Sequence, residues 1–294
     1  MNRSKVALLL VFSAVLLKAQ TITGSITGTI SDPSGAAVAN VKVTATNTAT
    51  NLTYTTNTND TGVYNLVFLP VGQYTVTAEA KGFKKTVLGP FALEVNQAAK
   101  VDVRLEVGEV SQSVEVTGVA PILQTESTAT GAALTTETVS SIPLNGRNFA
   151  SLTQLIPGAI STSPNAMNTS ARVQSSGSRP QVNGNREQTN NFLLDGIDNN
   201  DSIDNRIGYQ PNVDALEEVK VITGNGSSEF GNVGGAIVNT TLKSGTNQYH
   251  GNVFEFLRND KLDANGYFGN RARAPRSPLR RNIFGGTQIG RAHV

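Results

Sequence analysis

Two stretches hold the residue types that could do chemistry. In "DGIDNNDSIDN", Asp195, Asp198, Asp201 and Asp204 recur every three residues. Carboxylate oxygens at that density could ligate calcium. The spacing is not that of a D-x-D-x-D-G loop, and Asp and Asn also fill turns because their side chains bond the local backbone. No metal and no cofactor is assigned from it. The second stretch is "EFGNVGGAIVNTTLKSGTNQYHG", Glu229 to Gly251. A glycine-rich loop raises the question of a phosphate. A phosphate loop needs Lys-Ser/Thr after its last glycine, at the start of a helix. Here β-branched residues follow, and "GNGSSEFG" lacks G-x-G-x-x-G spacing. Gly231, Gly234 and Gly235 are read as positions for tight turns and close backbone packing. Nucleophilic catalysis finds no apparatus: cysteine is absent, His250 and His293 are the two histidines, and no G-x-S-x-G elbow occurs. The chain is read as a non-enzyme.

The elements around these stretches are strands and turns. Charged residues make up 16% of the 294, and 28 glycines and 11 prolines punctuate the chain; this mix disfavours long helices. The net charge of +2 hides an asymmetry. Arg3, Lys5 and Lys18 lie in the first twenty residues, and six arginines follow Asn270. Between them, 15 basic side chains face 22 acidic ones. That balance argues against a nucleic-acid partner, which needs clustered positive charge. "RARAPRSPLRR" is read as a solvated loop.

The opening "MNRSKVALLLVFSAVLLKAQ" has a basic start and an apolar run from Val6 to Leu17. Leu17 and Ala19 stand at −3 and −1 from Gln20, so residues 1–19 read as a signal peptide. The run is too short for a membrane span, which takes about 20 residues. Export follows. From Ile22 to Val107 the apolar residues alternate: Ile22, Ile26 and Ile30; Val41, Val43 and Ala45; Tyr74, Val76 and Ala78; Val101, Val103 and Leu105. "DPSG", "NDTG" and "LPVG" separate the runs. Short strands at this spacing predict an antiparallel β-sandwich over residues 22–107.

"GTISDPSGAAVANVKVTATN" followed by "TNDTGVYNLVFLPVGQYTVTAEAKGF" resembles the carboxypeptidase regulatory-like domain. The resemblance implies a transthyretin-like sandwich of the carbohydrate-binding-like fold. It implies no peptidase activity, and no H-x-x-E zinc pair is present. Tyr54, Tyr64 and Tyr74 are read as core or cross-strand packing rather than as a sugar platform. Next, residues 108–120 form a linker containing "SVEVTG", Ser113, Val114, Glu115, Val116, Thr117 and Gly118. This segment resembles a TonB box, the strand by which outer-membrane transporters engage TonB. It would act by adding to a partner's sheet edge; the competing reading is a last strand of the sandwich.

Residues 121–247 follow. "SSIPLNGRNFASLTQLIPG" places Phe149, Leu152 and Leu155 or Ile156 at helical spacing, and 161–178 reads as a polar loop. "NNFLLDGID" predicts a strand ending at Asp195-Gly196, and "DALEEVKVITG" a helix start and then a strand. "LLDGID" and "EEVKVITGNGSSEFGNVGGAIVNTTLKSGTN" resemble the plug domain of TonB-dependent transporters, with Phe230 in place of the usual Tyr. "PLNGRNFASLTQLIPG" and "NGNREQTNNFLLDGIDN" resemble its Oar-like subgroup, which couples a sandwich, a plug and a β-barrel.

The resemblance implies a mostly β chain: sandwich, small α+β plug, and the first strands of a truncated outer-membrane barrel at 248–288. It implies outer-membrane lipid, TonB and its inner-membrane energising complex as partners, with the N-terminal domain in the periplasm. The ligand would be a carbohydrate, siderophore or peptide, met by Asn185, Arg186, Asp195, Asp198, Asp201 and Asp204. An exported carbohydrate-binding or adhesive sandwich protein is the alternative. Residues 289–294, "IGRAHV", depart from the subgroup and match one reading frame of a sequencing adapter. A longer genomic read is expected to replace them with a Gly-Gly-Pro run; a stop codon after Val294 would overturn that expectation.

Overall fold

The computed structural model describes residues 23–108, 113–116, 127–142, 144, 147–161, 179–231 and 234–290. The leader, Thr117 and Gly118, the polar stretch at 162–178 and residues 291–294 lie outside the described residues. The chain is mostly β and divides into two units, residues 1–243 and 244–294.

Alternating burial creates the sandwich. Its strands are β1 (Thr23–Ser31), β2 (Lys42–Asn47), β3 (Thr53–Asn57), β4 (Val63–Pro70), β5 (Gly72–Glu79), β6 (Lys85–Leu93), β7 (Ala98–Lys100), β8 (Val103–Arg104) and β9 (Ser113–Val116). One sheet runs β4-β1-β7, with β8 also on β1; the other runs β3-β2-β5-β6-β9. Ile26, Ile30, Val43, Ala45, Tyr64, Tyr74, Val76 and Leu105 are buried between them. With Tyr64 and Tyr74 at 1% and 0% exposure, these rings cannot form a sugar platform. The sandwich is mixed, not wholly antiparallel as the strand spacing suggested. β7 and β8 run parallel to β1, and β9 runs parallel to β6. Side-chain alternation reports burial but is blind to strand direction.

The turn residues act as their chemistry predicts. Asp32 Oδ1 accepts from the amides of Ser34 and Ala36, at 2.8 and 2.9 Å. Asn59 Oδ1 accepts from those of Thr61 and Val63, at 3.0 and 2.9 Å. These loops close by side-chain mimicry of a backbone turn. Gly28 answers a different need. β1 changes partner from β7 to β8 beside it, and a Cβ there would lie 1.9 Å from the Val101 carbonyl oxygen.

The second sheet of the same unit uses β10 (Thr130–Thr135), β13 (Asn191–Leu194), β14 (Ile197–Asp198), β15 (Leu216–Gly224) and β16 (Ile237–Leu242), in the order β10-β15-β16-β13-β14. β11 (Ala159–Ile160) and β12 (Gln181–Val182) pair separately. Helix α1 (Thr136–Ser141) and a 3-10 helix at Phe149–Leu155 cover one face, where Val139, Phe149, Leu152, Val219, Val221 and Val238 form the core. The helical spacing at Phe149 is thus realised with three residues per turn. That period puts Phe149 and Leu152 on one buried face; at the helix end the pattern breaks, with Leu155 exposed and the capping residue Ile156 buried instead.

The second unit is a hairpin of β17 (His250–Asn259) and β18 (Arg280–Ile289), paired over ten residues. A short helix, α2 (Tyr267–Arg271), lies in the connection. Phe254 lies over Gly285, where a Cβ would meet its ring at 2.8 Å.

Gly28→Ala is expected to destabilise the sandwich by about 1–3 kcal/mol, the usual cost of overpacking. Chemical denaturation should show it, with Thr55→Ala on exposed β3 shifting the curve by no more than about 0.5 kcal/mol.

Candidate functional site

The glycine-rich turn holds its own chain. Gly234 and Gly235 both donate their amides to the Thr189 carbonyl, at 3.0 and 2.9 Å. A Cβ on Gly235 would lie 2.5 Å from Asn190 Oδ1, so close packing requires glycine there. Gly231 has open space around it, so crowding does not explain it. Asn190, fully buried, completes the fastening. Its Oδ1 accepts from the Ala236 amide at 2.9 Å, and its Nδ2 donates to the Pro180 carbonyl at 2.6 Å. The donor pair a phosphate would need is already used.

Beside this turn lies a polar cleft of about 820 Å³, lined by Gln188, Thr189, Asp198, Asn200, Asp201 and Asp204 among others. Asp198 Oδ1 accepts from the Asn200 amide at 2.9 Å, and Asp201 Oδ1 from the Ile203 amide at 2.6 Å. Asp204 accepts from Arg206 Nε at 2.9 Å and from Arg179 Nη2 at 3.3 Å. The Arg206 hydrogen bond, with Arg179 adding, holds the Asp204 carboxyl below its ordinary value. Arg179 is 2% exposed and reaches Glu187 at 3.4 Å. Three of the sequence-selected aspartates therefore share one cleft. Asp195 does not join them: at φ 50° its Oδ1 caps the Leu242 amide at 2.9 Å, tying the β13–β14 turn to β16. Asn185 and Arg186 are exposed outside the cleft lining. Among the described residues, no three acidic or histidine side chains converge as a metal site would require.

Two arrangements had no sequence signal. Arg147 pairs with Asp214, both nearly buried, and Lys243 Nζ donates to the Asp214 carbonyl at 2.9 Å. This ties the segment before the Phe149–Leu155 helix to a second 3-10 helix, Val213–Ala215, just before β15. The other lies on the opposite sheet face. Glu218 and Lys220 alternate with Val219 and Val221, so strand periodicity alone would send them to solvent. Instead the loop after β6 covers them. Glu218 Oε2 accepts from the Val95 amide at 3.2 Å, and Lys220 Nζ donates to the Val95 carbonyl. Glu94 lies 3.8 Å from Lys220. Glu218 is 6% exposed, Lys220 7% and Val95 0%. Asn239 and Thr241 sit opposite them on β16, each with a buried side-chain oxygen lacking a partner among the described residues. Burial pushes Glu218 up to about 7, against the Val95 hydrogen bond and Lys220, with Glu94 and Glu217 adding repulsion. The same burial lowers Lys220. The seat joins sandwich and second sheet through hydrogen bonds from two ionisable side chains to the buried Val95 peptide.

The described part of the candidate TonB box is the last strand of the sandwich sheet among the described residues, which is the competing reading of this segment. Ser113–Val116 pairs in parallel with β6, from Lys85↔Ser113 to Leu88↔Val116.

Two stretches of the chain match known domain families. Residues 25–106 match the carboxypeptidase regulatory-like domain, and residues 241–291 match an outer membrane beta barrel domain. The chain thus joins a carboxypeptidase regulatory-like sandwich to outer-membrane β-barrel sequence. Over 254 residues, 84% of its length, it is 29% identical to the TonB-dependent transporter Oar of Myxococcus xanthus, and it spans 22% of that protein. The similarity to that transporter thus extends over most of this chain and less than a quarter of the relative. It is also similar to the outer membrane transporter YddB from Escherichia coli, with 16% identity, 52% of this chain and 23% of that one covered, and a TM-score of 0.40. For the siderophore receptor PirA from Pseudomonas aeruginosa the values are 16%, 45%, 22% and 0.32.

The Glu218 seat predicts a pH dependence. Unfolded, this carboxyl titrates near 4.5; folded, near 7. Between those values the folded chain keeps a proton that the unfolded chain has released, so stability falls as pH rises through the window. The fall should be at most about 3 kcal/mol. Calorimetric melts between pH 5 and 8 should show this slope in the wild type and lose it in Glu218→Gln.

Proposed function

We propose that this chain supplies the periplasmic sandwich, plug and first barrel strands of an outer-membrane TonB-dependent transporter. The plug is the segment 121–247, the box lies in the linker 108–120, and the barrel begins in 248–288. The observation that carries this reading is the β17–β18 hairpin. Ten paired residues per strand match the 9–11 that cross a bilayer. Val253, Leu257 and Phe284 are 91%, 60% and 77% exposed. An isolated hairpin is marginal in water, and a spanning sheet must close on further strands. The 29% identity to a TonB-dependent transporter over most of the chain supports the same reading.

In this mechanism, ligand binds the cleft at Asp198, Asp201 and Asp204, TonB captures Ser113–Gly118, and traction rearranges the second sheet to open a path. No bond in the ligand is made or broken. Carboxylate and amide oxygens along the cleft favour a ligand rich in O–H or N–H donors, which fits a carbohydrate or peptide and many siderophores.

Deleting residues 113–118 should lower binding of the TonB periplasmic domain at least about tenfold, with the outer-membrane level of the protein unchanged. Surface plasmon resonance on the detergent-solubilised protein measures this. Undiminished binding would place the box elsewhere.

A further inference from the structure

We propose that the sandwich presents the box as a ready-made edge strand, so that the partner's sheet adds to β9 while β9 stays on β6. This rests on the TonB reading above and specifies how that contact is made. β9 is the last strand in the order β3-β2-β5-β6-β9, and no described strand pairs with its outer side. One main-chain edge of Ser113–Val116 is spent on Lys85–Leu88, and among the described residues no strand pairs with the other. Among the described residues the seat comprises four register pairs, from Lys85↔Ser113 to Leu88↔Val116. The edge is short and carries one charge, Glu115, but lacks the stronger guards. Sheet edges are normally blunted by lysine, proline or a bulge. "SVEV" holds no lysine or proline, and its register with β6 is unbroken.

Presentation has a thermodynamic consequence. Each residue that must be ordered on binding weakens affinity by roughly fivefold or more. A strand already extended on β6 does not bear that loss when the partner adds. Augmentation uses main-chain groups on one edge, so no exchange between β6 and the partner is required. The completed sheet would run from β3 through β9 into the partner.

The chain has no cysteine, so one introduced pair can form one disulfide only. Val87 and Glu115 are register partners, and adjacent strands bring their Cα atoms to roughly 4.8 Å, within disulfide range. The intact protein carrying Val87→Cys and Glu115→Cys would be tested for binding of the TonB periplasmic domain, oxidised and reduced. The oxidised form is expected to bind within about threefold of the reduced form, or more tightly. Loss of binding on oxidation, restored by reduction, would show that the strand must leave the sandwich and would overturn presentation. Failure of the disulfide to close under oxidant would overturn the seat itself. Absence of binding by the wild type as well would instead remove the TonB reading on which this rests.

Discussion

A peptide group removed from water must find partners, and three features of this chain are answers to that demand. The buried peptide of Val95 is held at its amide by Glu218 and at its carbonyl by Lys220. The carbonyl of Thr189 is held by two consecutive glycine amides, and the β6 edge is taken by β9. In each case a segment distant in sequence supplies the groups. The first of these ties the sandwich to the second sheet, the second lies beside that sheet, and the third seats Ser113–Val116 on the sandwich.

That choice of fastening has energetic consequences. The face of β15 and β16 that receives Val95 carries Glu218, Lys220, Asn239 and Thr241, of which Glu218, Asn239 and Thr241 keep a buried oxygen without a partner among the described residues. Apolar residues of similar volume would hold two bodies together at no desolvation cost, whereas a buried charge pair offsets much of its own attraction. The opposite face, packed through Phe149, Leu152, Val219, Val221 and Val238, is an ordinary apolar core. The two faces of one sheet therefore differ in kind. One fixes the fold of the second sheet, and the other joins it to the sandwich by contacts sensitive to protonation.

Much of the architecture was readable before any coordinates. Alternation placed Ile26, Ile30, Val43, Tyr74, Val76 and Val103 in one core, as observed. "DPSG" and "NDTG" became side-chain-closed turns. "LLDGID" became a strand, a turn and a short return strand. Strand direction was not readable, because parallel and antiparallel neighbours bury the same alternating residues. The aspartate series was legible only in part. Its regular spacing suggested one cluster, yet Asp195 turns to the Leu242 amide while Asp198, Asp201 and Asp204 line the cleft. A positive φ at Asp195 redirects its side chain, and spacing in sequence does not encode that.

By itself the sequence determined local matters: which residues are apolar at period two, where Asp, Asn and Gly turn the chain, and that this chain holds no thiol. These depend on neighbours a few residues away. Tertiary structure decided which polar residues are buried. Glu218 and Lys220 alternate as solvent-facing residues would, and become buried only because Val95, more than 120 residues earlier, lies over them. Tertiary structure also decided that Ser113–Val116 is an edge strand, since an extended four-residue segment acquires an edge only when a neighbouring strand supplies the register.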